Sequence, residues 1–154
     1  MYLAALGYFE LLRTLFQEIA IPTAVFQEVV VAGARYPVSR EVVTAQGKWI
    51  HVQSVKGGPE LEGFRQAGLD PGESEALVLA QELNSEGLLL DDSDAVRIAS
   101  GMSLNVIRTP GIFRLAKQRG LILTVAPKLD ALRSAGFWLR DDHYRIILQS
   151  AGEL

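Results

Sequence analysis

The strongest restriction on the fold of this chain is a set of short apolar runs, each followed by a helical pattern. The runs are Ile-Ala-Ile at 19–21, the segment carrying Trp49, Ile50, Val52 and Val55, the triplet Leu88-Leu89-Leu90, and Asn105-Val106-Ile107. Runs of this length bounded by turn residues read as strands buried on both faces. Helical spacing fills the intervals. It is clearest at 3–16, where Leu3, Leu6, Phe9, Leu12, Leu15 and Phe16 repeat, and at 73–83, where Ala76, Leu77, Leu79, Ala80 and Leu83 share a side. Further helices are predicted at 22–32 behind Pro22, at 40–46 capped by Ser39, at 60–66, 94–102, 110–119, 127–134 and 141–150. Strands alternating with helices predict an α/β fold, a three-layer α/β/α domain around a central parallel sheet. No linker or repeat divides the 154 residues, so one domain over 1–154 is expected, with 124–154 as a C-terminal helical element.

Composition narrows the chemistry. The chain has no cysteine, which excludes disulfides, thiolate metal sites and thiol catalysis, and fits a reducing cytoplasm. His51 and His143 are the only histidines, too few for a histidine-rich zinc site. A metal would therefore be held by carboxylates, which suit Mg²⁺ or Mn²⁺. The formal net charge of −3 gives no broad basic footprint for nucleic acid, yet an acidic metal site lowers net charge without excluding a nuclease. No apolar run reaches membrane-spanning length, and the amphipathic start of the chain does not read as a signal peptide.

In open parallel sheets, sites form at the carboxyl ends of strands. Three acidic places qualify: Glu28 in the helix after the first run, the Gly72-Glu73-Ser74-Glu75-Ala76 segment, and Asp91-Asp92 directly after Leu88–Leu90. Carboxylates converging from separate elements repel one another unless a divalent cation lies between them, and such a cation can activate water and clamp a phosphodiester. Each place also has an ordinary reading. Glu28 can be a solvated helix residue. Glu73 and Glu75 can be first-turn acids favoured by the helix dipole. Asp92 can be the N-cap of the following helix, with Asp91 as loop. Asp141-Asp142 is assigned to capping, and His51 and His143 to surface or core.

The order of the acids and their contexts changes the balance. Pro22-x-x-Val25-x-x-Glu28-Val29, Gly72-Glu73-Ser74-Glu75-Ala76-Leu77-x-Leu79-Ala80, Leu88-Leu89-Leu90-Asp91-Asp92-x-x-Ala95-x-Arg97, Leu104-Asn105-Val106-Ile107 and Ala135-Gly136-Phe137 follow one another over nearly the whole chain. This succession resembles the PIN-domain family, in the branch related to VapC-like toxins. More narrowly, it is similar to an uncharacterised PIN subfamily with "GESEA" and "LLLDD" runs. The resemblance implies Mg²⁺- or Mn²⁺-assisted hydrolysis of single-stranded RNA. By it, Glu28, Glu75 and Asp92 match the second, third and fourth acidic positions, Asp91 partners Asp92, Glu73 supports either, and Arg97 meets the RNA backbone. It further implies the toxin of a toxin–antitoxin pair, with an antitoxin protein as partner, and a homo-oligomer.

One part of the family pattern is missing. PIN domains open with a central strand carrying an aspartate, followed by a helix resembling Leu3-Ala4-Ala5-Leu6-Gly7-x-Phe9-Glu10-Leu11-Leu12. Met1 falls at the end of that strand or the start of that helix, so neither strand nor aspartate is present. Glu10 cannot replace it, since it lies more than two turns in, over ~10 Å along the helix. Either the start is assigned late, or the protein is an inactive member kept as an interaction module, or a partner chain supplies the strand. In each case uncovered ladder groups predict oligomerisation or strand exchange. A receiver-like phosphate-signalling domain, suggested by Asp91-Asp92 after a strand, ranks last, because Arg108-Thr109 stands where a lysine is wanted.

Overall fold

The computed structural model describes residues 2–154. Met1, which the family pattern sets at a strand end or helix start, lies outside the described residues. In chain order the elements are α1 (Tyr2–Ala5), α2 (Phe9–Phe16), β1 (Ile19–Pro22), α3 (Thr23–Phe26) continued by a π-helical stretch (Gln27–Ala32), α4 (Pro37–Ala45), β2 (Ile50–Gln53), α5 (Pro59–Gln66), α6 (Pro71–Glu82), β3 (Leu88–Leu89), α7 (Ser93–Gly101), β4 (Val106–Ile107), α8 (Thr109–Gln118), α9 (Ala126–Ser134) and α10 (Asp141–Ser150). The arrangement is the mixed α/β one that the alternation predicts.

The sheet, however, is in two pieces. Strand β1 pairs with β2 in parallel, from Ile19 opposite Ile50 to Pro22 opposite Gln53. Strand β3 pairs with β4 in parallel, Leu88 opposite Val106 and Leu89 opposite Ile107. Among the described residues no strand joins the pairs. In a parallel ladder alternate residues bond a given neighbour. The N–H groups of Leu88 and Leu90 donate to Asn105 and Ile107, so those of Leu89 turn to the other edge. By the same alternation Ile19 donates to Trp49 and Ala20 turns outward. Both Ala20 and Leu89 are exposed.

By its contacts the chain forms two compact units, one from the chain before Glu18 together with Arg108–Leu154, the other from Glu18–Ile107. In the second, α6 packs on both β1 and β3. Its Leu77 joins Leu69, Leu90, Ala95 and Ala99 in a buried cluster that Phe64, Val96 and Val106 extend. In the first, Ile112, Phe113, Leu129 and Leu132 are fully buried. Edge-to-face contacts of Tyr8 with Phe113 and of Tyr2 with Phe137, at 5.2 and 5.1 Å, close its sides.

Two expected helices start or break elsewhere. The repeat over 3–16 predicts one helix, but Gly7, at φ 77°, ends α1. The N–H of Gly7 donates to Ala4 and that of Tyr8 to Leu3, the paired bonds of a Schellman turn. The helix expected at 40–46 with Ser39 as cap begins instead at Pro37, whose fixed φ suits a first turn. Ser39 lies inside it, buried, its hydroxyl donating to the carbonyl of Val30 at 3.3 Å.

Candidate acidic site

Helix α6 carries two of the expected acids, and its start is fixed by sequence. Asp70, in extended conformation, is the N-cap, Pro71 follows, and Glu73 at the third helical position accepts a hydrogen bond from the Asp70 N–H at 3.1 Å. The Asp-x-x-Glu spacing in the sequence announces this box, although the acid run draws attention to Glu73 alone.

Glu28 comes from the helix lying along α6. There the N–H of Gly33 donates to the carbonyl of Glu28, a five-residue reach in place of the usual four. Such π segments recur at functional sites. The two helices meet closely at Gly72. A methyl group built there would stand 3.1 Å from Val25 Cγ2 and 3.3 Å from Glu28 Oε2. Only glycine leaves that side of α6 open to the Glu28 carboxylate.

Asp92 follows β3 and caps α7. Its Oδ1 accepts from the N–H groups of Asp94 and Ala95, each at 2.9 Å. The ordinary reading of Asp92 as an N-cap therefore holds, and it is compatible with a second role for Oδ2. Asp91, just before it, is half-buried.

The electrostatics single out Glu73. Its carboxyl pKa is raised, first by burial, then by the negative charges of Asp92, Asp70 and Glu28, while the Asp70 N–H bond pulls the other way. The negative charges of Asp92, Asp70 and Glu28 thus act on one position.

Glu75 makes two direct contacts of its own. Its Oε2 accepts from the backbone N–H of Ala24 at 2.9 Å, and its Oε1 faces Arg65 at 3.4 Å. Arg97 is 74% exposed and paired with Asp94 at 3.0 Å, an i, i+3 surface contact of the weak kind. So the charges of Asp92, Asp70 and Glu28 act on Glu73, Glu75 meets the helix of Glu28 one turn before it, and Arg97 is engaged with Asp94. An open cleft of about 400 Å³ lined by Lys56, Gly58, Val78 and Glu82 lies toward the other end of α6 from Glu73.

Among the described residues no three acidic or imidazole groups stand in an arrangement that could enclose a metal ion. The donor chemistry, carboxylate oxygen alone, nevertheless suits a hard divalent cation. No described helix is long and apolar enough to cross a membrane.

A family model described as a PIN domain matches residues 1–153. No curated protein and no solved structure matches the chain.

Proposed function

The chain belongs to the PIN-domain family, and from that premise we propose that it is a metal-dependent endoribonuclease acting on single-stranded RNA, with Glu28, Glu75 and Asp92 as its acidic site and Glu73 in support. A PIN domain is a nuclease-type fold. What supports the finer reading is that the Glu28 helix meets α6 at Gly72 and Glu75, and that the charges of Asp92, Asp70 and Glu28 together raise the pKa of Glu73. Like charges so placed favour binding a cation over remaining bare.

Glu28, Glu75 and Oδ2 of Asp92, the oxygen the helix does not use, would hold Mg²⁺ or Mn²⁺, with Glu73 in support. When bound, that ion supplies a polarised phosphate and an activated water. The chain's own part is orientation. Asp92 is fixed by two helix N–H bonds, Glu73 by the Asp70 N–H, and Glu28 by the close approach at Gly72. Asp91 lies beside Asp92 as a further oxygen donor, and Arg97 would meet RNA only by giving up Asp94. The same reading places the protein in the cytoplasm as the toxin of a toxin–antitoxin pair, held by an antitoxin protein and assembling as a homo-oligomer.

The test is cleavage of single-stranded RNA by the purified chain with Mn²⁺ or Mg²⁺ against an EDTA control. Asp92→Asn is the informative variant, because asparagine still caps a helix. Metal-dependent cleavage that falls on the order of a hundredfold in Asp92→Asn and Glu73→Gln is expected. Cleavage equal in wild type and both variants would overturn the reading. A second reading, an inactive member kept as a protein-interaction module, is favoured by the outward-facing edges at Ala20 and Leu89, and predicts no metal-dependent activity.

A further inference from the structure

We propose that the outward row of α4, Tyr36, Arg40 and Val43, with Arg35 stacked on Tyr36, is a platform for single-stranded RNA. The ring takes a base and the two arginines meet the neighbouring phosphates. The proposal deepens the nuclease reading and rests on it for the choice of RNA.

Charge is the first reason. The chain is acidic overall, yet between Glu28 and Glu60 it carries Arg35, Arg40, Lys48 and Lys56 against one acid, Glu41. Among the described residues none of these four basic side chains is ion-paired with a carboxylate. Arg65 and Arg97, the other lysines or arginines of the Glu18–Ile107 unit, are paired with Glu75 and Asp94. Cations left without a carboxylate in an acidic protein suit an anionic partner, and a phosphate chain is one.

The surface chemistry is the second. Helix α4 buries Val38, Ser39, Val42 and Ala45. Its other side repeats at helical spacing, Tyr36, Arg40 and Val43. Arg40 is exposed, Tyr36 is 48% exposed and Val43 50%. The Arg35 guanidinium lies 4.9 Å from the centre of the Tyr36 ring and donates to its hydroxyl at 2.9 Å, so the pair is already set. Aromatic rings and guanidinium planes stack on unpaired bases whatever the sequence. Tyr36 and Val43 are a small share of the ~800 Å² that a stable protein interface buries on each partner, which favours RNA over a protein here.

The backbone ties this row to Glu28. The N–H of Gly33 donates to the carbonyl of Glu28 and that of Tyr36 to the carbonyl of Gly33, each at 2.9 Å. The Ser39 hydroxyl bonds Val30 and so holds α4 to the same helix. Helix rise and turn width put the Cα atoms of Glu28 and Tyr36 no more than ~16 Å apart. A strand lying on the platform therefore leads toward an acid of the proposed site.

The experiment measures binding of a fluorescent oligouridylate of about twelve nucleotides by anisotropy, in EDTA so that cleavage does not intervene. It compares wild type, Tyr36→Ala, Tyr36→Phe, Arg40→Gln and Arg145→Gln, the last removing an exposed cation of α10. Tyr36→Ala should weaken binding roughly 5–150-fold, and Tyr36→Phe, which keeps the ring, by less than about threefold. Arg40→Gln should weaken it and reduce the salt slope by about 0.7, whereas Arg145→Gln should change neither. The proposal is overturned if wild type does not bind, if Tyr36→Ala binds as wild type does, or if phenylalanine loses as much as alanine. Polyglutamate displacing the RNA with the same dependence on Tyr36 would also overturn it, and would mark a face for an acidic protein. A wild type that binds RNA through Tyr36 but cleaves none with Mn²⁺ sinks the nuclease reading and leaves the platform. One that cleaves, with KM unchanged in Tyr36→Ala, does the reverse.

Discussion

Glu73 and Glu75 are two residues apart on one helix, a spacing that turns their side chains about 200° from each other. That much is legible in the sequence, but which of them meets Glu28 depends on where the preceding helix lies, and no periodicity states that. The resemblance to the family favours Glu75, and the fold sets Glu75 on Ala24, one turn before Glu28, while the charges of Asp92, Asp70 and Glu28 act on Glu73. A titration follows. The folded-state pKa of Glu73 is raised, so its proton is held equally in both states well below pH 4.5, and stability is lost as pH rises through the folded value. In EDTA, Glu73→Gln should melt above wild type at pH 7 and equal it well below pH 4.5, as followed by circular dichroism. Glu153 behaves in the opposite sense. Burial would raise its pKa, but Lys117 at 2.8 Å and the N–H groups of Ala126 and Val125 outweigh that and lower it. Its contribution is present above pH 4.5 and is lost as pH falls through the lowered value. Glu153→Gln should cost about 1–2 kcal/mol at pH 7 and little in acid, measured by urea unfolding at the two pH values.

At the scale of elements, the pattern found the strands and nearly every helix, because short apolar runs and helical repeats are local signals. It missed what neighbours decide. The break at Gly7 is invisible to a repeat that runs on through Leu6 and Phe9, since the turn is made by backbone bonds. The early start of α4 follows from Pro37, which suits a first turn although Ser39 carries the local capping signal. The π segment has no sequence signature of its own. Gly72 stands within an acid motif, although its function in the fold is to be small. Gly72→Ala should test that. Alanine favours the helix by up to ~1 kcal/mol, and crowding at Val25 and Glu28 costs about 1–3 kcal/mol. The variant should fold with a stability change within about 2 kcal/mol, yet cleave RNA on the order of tenfold more slowly because Glu28 is displaced.

For the molecule as a whole, the sequence predicts an α/β fold with a central parallel sheet, and the described strands lie in two parallel pairs. Pairs β1–β2 and β3–β4 each leave both outer edges without a strand partner among the described residues. Unpaired edges invite pairing with another chain, and a charge on the edge suppresses it. Leu89→Lys should therefore lower the self-association of the protein in sedimentation velocity, with unchanged circular dichroism.

The division of the chain into units has a further consequence, for synthesis. Glu18–Ile107 is contiguous and can close as soon as it has left the ribosome. The other unit is interrupted, and α2 finds its partner α8 only after those intervening residues, about ninety, have been made. At bacterial or eukaryotic elongation rates that interval is roughly 5–20 s. Throughout it the apolar face formed by Leu12 and Leu15 has no helix to meet, so the nascent chain presents it to chaperones first and to its own fold last.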